Sequence, residues 1–353
     1  MTDLVILRTY HMTKYPSYIW RYDKFIHITS QFFYNTINIV QYGYPLLLIL
    51  GTISNIMAFA FSVLTYKHSD LCIYFIFLSL ADTFTLWINV FPSILHLYVG
   101  RYHSDWITST AQCRTYMFLQ HFSRAVAGWL VVVTTMTRLL ALRNPFTWRT
   151  KSATFHVKMC FFSILIAATL CTPSLFLYDR LEFGVGQFIA LCHMMPKGFV
   201  DYEVHLYWAS FVFPIVPVLL VAIFNVAILC MLFSVQRFRD KNSSSSSKSH
   251  TCSSNSQVSS SSNQQIITLL AVSTLFLALS APHVWNSLRQ LYSEYDFGDI
   301  RESLERGTGP FYNLESYTAS FILYINNCIN FYVYILSGKT LRTEFLKRLW
   351  RAA

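Results

Sequence analysis

The sequence predicts an all-α fold: a bundle of seven membrane-crossing helices, followed by a short amphipathic helix on the membrane surface. Three observations predict it. Apolar residues make up 54% of the 353 and charged residues 12%, against about 25% charged in an average soluble domain. Seven apolar runs, at about residues 43–66, 72–97, 111–142, 155–178, 202–235, 265–291 and 316–337, each exceed the roughly 20 residues a helix needs to cross the hydrocarbon core. The runs lack the two-residue alternation of barrel strands, and only helices or closed barrels satisfy their backbone polar groups in lipid. Disorder and most soluble enzymes are excluded by the same composition, and the mean hydropathy is positive at +0.40.

The elements follow in order. Residues 1–42 form a tail with charged and aromatic residues throughout and no apolar core ending in small residues, so the first span is expected to serve as the insertion signal. The loops at 66–71, 143–158 and 236–264, with the segment 338–353, hold 14 Lys or Arg and 3 acids, while the alternate set with the tail holds 11 bases and 13 acids. By the positive-inside rule the first set is cytoplasmic. The chain is therefore expected in the plasma membrane with its N-terminus outside. Confined to one set of loops, the surplus charge of +10 faces lipid head groups and not nucleic acid.

The seven spans are expected to form one domain over 43–337. Within it, residues 243–262 contain 13 serines, which reads as a disordered third inner loop at about 240–264. Two readings stand for it: a tether, or a substrate for kinases whose phosphates recruit a basic partner. The single Asn-x-Ser/Thr match, at Asn242, falls in this loop. Beyond the last span, residues 338–353 set Leu341, Phe345 and Leu349 on one face among Lys339, Arg342, Lys347 and Arg348. That is the pattern of a helix lying on an anionic leaflet.

Six of the eight cysteines fall in spans or on the inner side, leaving Cys113 and Cys192 outside, where a disulfide between them would pin the loop before the fifth span over the bundle mouth. No His, Cys and carboxylate set has metal-site or hydrolase spacing, and no cofactor is implied. Polar side chains inside spans are functional candidates because burying them unpaired costs several kcal/mol, about 2–7 by transfer scales. They are Asn55, Asp82, Gln120, His121, Arg124, His283, Asn326, Asn327 and Asn330, with Pro92, Pro173, Pro214, Pro217 and Pro282 as expected kinks.

Together these residues resemble the rhodopsin-like (class A) G-protein-coupled receptors over all seven spans. Asn55 and Leu78-Ser-Leu-Ala-Asp82 look like the first- and second-span signatures. Trp106 precedes Cys113, Cys113 precedes Arg138 by 25 residues, Pro145 fits the second inner loop, Phe276 and Pro282 fit span six, and Asn330-Phe-Tyr-Val-Tyr334 resembles NPxxY. The run from Asn330 to Lys339 is most similar to invertebrate neuropeptide receptors of the FMRFamide-like kind. The resemblance implies an outer ligand, a heterotrimeric G protein, and a receptor kinase and arrestin acting on the serine-rich loop. It assigns the disulfide to Cys113 and Cys192, an ion or internal polar site to Asp82, Asn326 and Asn330, and coupling to Arg138, Asn225, Phe276, Pro282 and Tyr334. Gln120, His121, Arg124, His283, Asn286, Ser320 and Tyr324 are its ligand-binding candidates.

The departures select among ligands and states. Tyr324 stands where an opsin needs lysine, and Gln120 where amine receptors use aspartate, so a peptide ligand is expected. The outer stretches 179–203 and 289–315 carry ten acids and five bases, a rim that would steer a basic peptide. Thr137-Arg138-Leu139 lacks the acid that normally restrains the arginine, which predicts raised basal signalling. The bland reading of Arg138 is snorkelling to lipid. Ser280 replaces the span-six tryptophan, Phe331 the NPxxY proline, Asn225 a tyrosine and Ala127 the serine of the sodium site, which predicts a poor sodium site. Three readings of Arg124 stay open: it binds a ligand acceptor, pairs with Asp82, or is merely solvated. His121 lines the pocket or is a core histidine. The rivals are a decoy that binds without coupling, and a seven-span enzyme or transporter, whose His and Asp clusters or matched broken helices are not evident.

Overall fold

The computed structural model describes residues 38–65, 71–99, 107–183, 189–194, 214–245, 255–294 and 309–337, with Thr343 and Lys347 beyond them. The expected surface helix, those two residues apart, and the tail before residue 38 lie outside the described residues. A π-turn at Ile39–Gly43 leads into α1 (Tyr44–Thr65), followed by α2 (Leu71–Val99), α3 (Thr110–Arg143), the short α4 (Pro145–Arg149) and α5 (Ala153–Cys171). After α6 (Ser174–Leu177) come β1 (Tyr178–Phe183) and β2 (Ile189–Met194), then α7 (Val216–Ser245), α8 (Asn255–Glu294) and α9 (Gly309–Ser337). Among the described residues six helices are long and apolar enough to cross a membrane, in windows that match the first six expected runs. The seventh run is α9, whose 29 residues extend for about 43 Å.

Local sequence sets the helix ends. Ser109 is extended and its hydroxyl accepts from Gln112 N at 3.3 Å, while the Gln112 amide oxygen accepts from Thr108 N at 2.7 Å. This reciprocal cap satisfies amides that the first turn of α3 leaves open. Pro145 opens α4, where its missing N–H costs nothing. Three of the five expected kinks are element boundaries instead: Pro173 stands between α5 and α6, Pro214 in a π-turn before α7, and Pro217 in the first turn of α7. Only Pro92 and Pro282 lie inside long helices.

Around the bundle, α1 packs on α2 and α9, α9 on α8, α8 on α7, and α7 on α3, while α3 also meets α2, α5, α8 and β1. That puts α3 at the centre. The bundle is inverted relative to a soluble protein. Leu46, Ile49, Leu50, Ile53 and Ile56 form an exposed stripe along α1, and Leu219, Ile223, Val226 and Phe233 another on α7. Ser54, Asn55, Asp82, Thr85, Asn89, Ser123, Asn326, Asn327 and Asn330 are buried. Apolar stripes of this extent facing outward fit lipid and not water.

Small residues let the helices approach. A Cβ on Gly51 would stand 2.5 Å from Cys328 Sγ and from Leu86 Cδ1, so α1, α2 and α9 meet where only hydrogen fits. Gly51→Val is expected to lower stability by about 1–3 kcal/mol, read as a lower Tm in detergent. Gly128→Ala, whose added carbon would meet Pro217 at 3.5 Å, is expected to change it little. Equal losses from both would remove the packing explanation.

Two features add to the sequence reading. The antiparallel pair β1–β2, with Tyr178 opposite Met194 and Phe183 opposite Ile189, adds a hairpin to an otherwise all-α fold. The serine-rich loop is shorter than expected, because α7 runs on to Ser245 and α8 begins at Asn255. Serine disfavours a helix by only about half a kcal/mol per residue, and extending an existing helix avoids the nucleation penalty.

Candidate functional site

Three polar layers are strung along α3. The first lies beneath the hairpin, which is seated on the opening turns of α3. Arg114 Nε donates to the Tyr178 carbonyl at 2.8 Å and its guanidinium stands 3.8 Å from the Asp179 carboxylate. Thr110 Oγ1 donates to Asp179 at 2.5 Å, and Arg180 reaches back to the Thr108 carbonyl at 2.7 Å. Asp179, counted among the rim acids, is thus already engaged. Cys113 is fully buried with Sγ 3.4 Å from the Asp179 carbonyl, and Cys192 stands opposite Arg180 in the strand register. The Cys192 side chain lies outside the described residues.

Under the hairpin, Tyr116, Gln120 and Arg124 succeed one another at four-residue spacing and so share one face of α3. Gln120 Nε2 donates to Tyr116 Oη at 2.9 Å, and His121 Nε2 stands 3.3 Å from Tyr178 Oη. His121 thus stands at the hairpin seat. Arg124 Nε donates to the Gln120 carbonyl at 3.2 Å. Side chains tilt toward a helix N-terminus, and this bond keeps the guanidinium on that course, toward the hairpin. His283 Nδ1 is buried with no hydrogen bond among the described residues.

α8 and α9 close this layer. Asn286 Nδ2 donates to Ser316 Oγ at 3.1 Å, and Ser316, Ser320 and Tyr324 follow at four-residue spacing down one face of α9. Ser320 is half-buried and Tyr324 is buried, its ring edge-on to Tyr44.

The second layer is a small cavity of about 40 Å³ whose lining includes Asp82, Arg124, Ala127, Phe276, Asn326 and Asn330. Asp82 accepts from Asn330 Nδ2 at 2.6 Å. Nearby, Asn55 Nδ2 donates to the Asn327 carbonyl at 2.9 Å and Ser54 to the Cys328 carbonyl at 2.5 Å. Arg124 and Asp82 line the same space without forming an ion pair, so the internal-pair reading of Arg124 is not what the structure holds. Ala127 brings no oxygen to the cavity, and no group of three or more His, Cys, Asp or Glu that could hold a metal occurs among the described residues.

The third layer lies at the far end. Thr137 is buried and its hydroxyl returns to the Thr134 carbonyl at 2.9 Å, while Arg138 is half-buried beside it. Asn225 on α7 accepts from Ser273 Oγ on α8 at 2.9 Å, a buried link between the fifth and sixth spans. Phe276 packs in the core cluster with Leu130 and Val221. Tyr334 lies in α9, but its side chain is outside the described residues.

Sequence reading passed over Tyr116, Tyr178, Thr85, Asn89, Ser123 and Ser273. Thr85 Oγ1 donates to the Ser123 carbonyl at 3.0 Å and Asn89 Nδ2 to Ser123 Oγ at 3.0 Å, fastening α2 to α3. The signal was present: Asn89 stands two helical turns from Asp82 on the same face, and Tyr116 one turn from Gln120.

A family model described as 7 transmembrane receptor (rhodopsin family) matches residues 54–334. No curated protein matches the chain.

Proposed function

The chain belongs to the rhodopsin family of seven-transmembrane receptors, which are receptors and not enzymes, and from that premise we propose that it turns peptide binding under the hairpin into activation of a heterotrimeric G protein at the Arg138 end. The observation that carries this reading is the position of α3. One helix bears Tyr116, Gln120 and Arg124 beneath the hairpin and Arg138 fourteen residues further along, about 21 Å away, so a ligand shifting α3 against α8 acts on both ends. The hairpin end is extracellular and the Arg138 end cytoplasmic, on the positive-inside rule.

Within this proposal Gln120, Arg124, His283, Asn286, Ser320 and Tyr324 contact a basic or amidated neuropeptide. His121 positions the hairpin instead. A Cys113–Cys192 disulfide ties the hairpin to α3, supported by the burial of Cys113 and the strand register beside it. Arg138, Asn225, Phe276, Pro282 and Tyr334 form the switch, which acts by shifting the population of states in which α8 swings away from α3. The serine-rich segment is the site where a receptor kinase and arrestin act.

Purified receptor in lipid, mixed with G proteins and a neuropeptide library, tests this by guanine-nucleotide exchange. Exchange that rises with one peptide and is lost in Arg138→Ala supports it. Peptide binding with no exchange on any G-protein class identifies a decoy, the reading favoured by Thr137 and Phe331.

A further inference from the structure

Between α7 and α8 a polar contact is set into an apolar seam. Asn225 on α7 is 6% exposed and lies one turn from Val221 and from Ile228, both fully buried. Ser273 on α8 is fully buried, one turn from Leu269 and from Phe276. Its hydroxyl stands 2.9 Å from Asn225 Oδ1, to which it donates, and 2.9 Å from the Leu269 carbonyl of its own helix. The hydroxyl has one proton for these two acceptors, so its bond to α7 competes with a bond inside α8. Asn225 Nδ2 is buried with no hydrogen bond among the described residues. The contact lies within the membrane, ten residues or about 15 Å short of Val235, where the apolar window of α7 ends. Val272 and Phe276, on either side of Ser273 along α8, line the cavity that Asp82 also lines.

We infer that Ser273 is a positioning residue of the switch: with Asn225 it forms a latch that holds α8 against α7 in the closed state, and the unmet end of the Asn225 amide keeps that hold shallow. This rests on the receptor reading for its meaning and goes beyond it in naming what sets the ligand-independent balance of states. A buried amide N–H without an acceptor favours any arrangement in which α8 moves off and water or a carbonyl meets it. The Ser273 bond opposes that movement by satisfying the other end of the same amide. Two variants that break this one bond therefore act in opposite directions. Ser273→Ala leaves both ends of the Asn225 amide unmet in the closed state and promotes opening. Asn225→Leu removes the amide, and the Ser273 proton is served by the Leu269 carbonyl, so no polar group is stranded and the apolar seam favours closure. A contact that served packing alone would be weakened alike by both.

The test uses the full chain in lipid, without ligand, and reads the separation of α7 and α8 directly. Spin labels are placed on Cys230, an exposed native thiol of α7, and on Gln265→Cys in α8, with Cys252→Ser removing the thiol of the segment between them. Pulsed electron spin resonance gives the distance distribution, and ligand-independent nucleotide exchange on purified G proteins is the second readout. Ser273→Ala is expected to raise the ratio of long to short distances, and basal exchange with it, by about three- to tenfold. Asn225→Leu, alone or combined with Ser273→Ala, is expected to bring both to the wild-type level or below. Ser273→Thr restores the hydroxyl and is expected to rescue both readouts, which separates loss of the bond from loss of folding. Distances unchanged by Ser273→Ala overturn the inference. So does an outward shift in Asn225→Leu, which decides the matter by itself should Ser273→Ala not fold. Failure of the receptor reading is distinct: distances that respond as expected without any exchange remove coupling alone, and peptide-stimulated exchange with distances indifferent to both variants removes the latch alone.

Discussion

Thr137→Asp is expected to lower ligand-independent nucleotide exchange by about three- to tenfold, measured on purified G proteins. Thr137 is 3% exposed and its hydroxyl is spent on the Thr134 carbonyl, so it offers the neighbouring Arg138 no charge. A carboxylate at this position gains a charge-assisted bond from the guanidinium in the resting state, and such bonds contribute about 1.5–3 kcal/mol. Part of that is offset by burying the new charge. The remainder, near 1 kcal/mol, is a several-fold shift of a two-state equilibrium. Thr137→Asn has the same shape without the charge and is expected to leave exchange nearly unchanged. If Thr137→Asp leaves basal exchange unchanged or higher while Tm is maintained, Arg138 is not restrained electrostatically and snorkelling explains it better.

The parts of this architecture legible in the sequence are those where physics leaves one solution. A run of twenty apolar residues in an otherwise polar-poor chain has only the membrane to occupy, and Asn55, Asp82, Asn326 and Asn330 inside such runs have only each other or the backbone to bond. They are found buried at the bundle centre, with Asn55 on the Asn327 carbonyl and Asn330 on Asp82. What stayed hidden was geometry between segments. The hairpin at 178–194 carries no period-two pattern, and its strands are set by the bonds of Tyr178, Asp179 and Arg180 to the first turns of α3. Tyr116 and Tyr178 were passed over because tyrosine, with 22 copies, is at home on either side of a membrane helix. The direction of Arg124 was undecidable from spacing, since a long side chain one turn below Gln120 reaches either way until the Nε bond to the Gln120 carbonyl is seen. At the serine-rich segment composition shows the lack of a core, while backbone helix extends to Ser245 and resumes at Asn255 past the packing that started it.

Asn330→Leu is expected to lower stability by about 2–4 kcal/mol, the largest effect of any single change in the polar core. Asp82 is 1% exposed and the donor the structure gives its carboxylate is Asn330 Nδ2, at 2.6 Å. Arg124 lines the same cavity but forms no ion pair with it. Removing the amide therefore strands a buried acid, a defect that exceeds the net value of the bond it broke. Asp82→Leu alone strands only a neutral amide and is expected to lose less, about 1–3 kcal/mol. The double variant strands neither group, and the helices α2 and α9 then meet through apolar side chains, so most of the loss from Asn330→Leu is expected to return. Tm values of the four proteins in one detergent give the coupling energy directly. Additive losses would mean that Asp82 finds another donor once Asn330 is gone, and Arg124 is the cation best placed to supply it. Coupled losses would show that the acid–amide pair itself fastens α2 to α9.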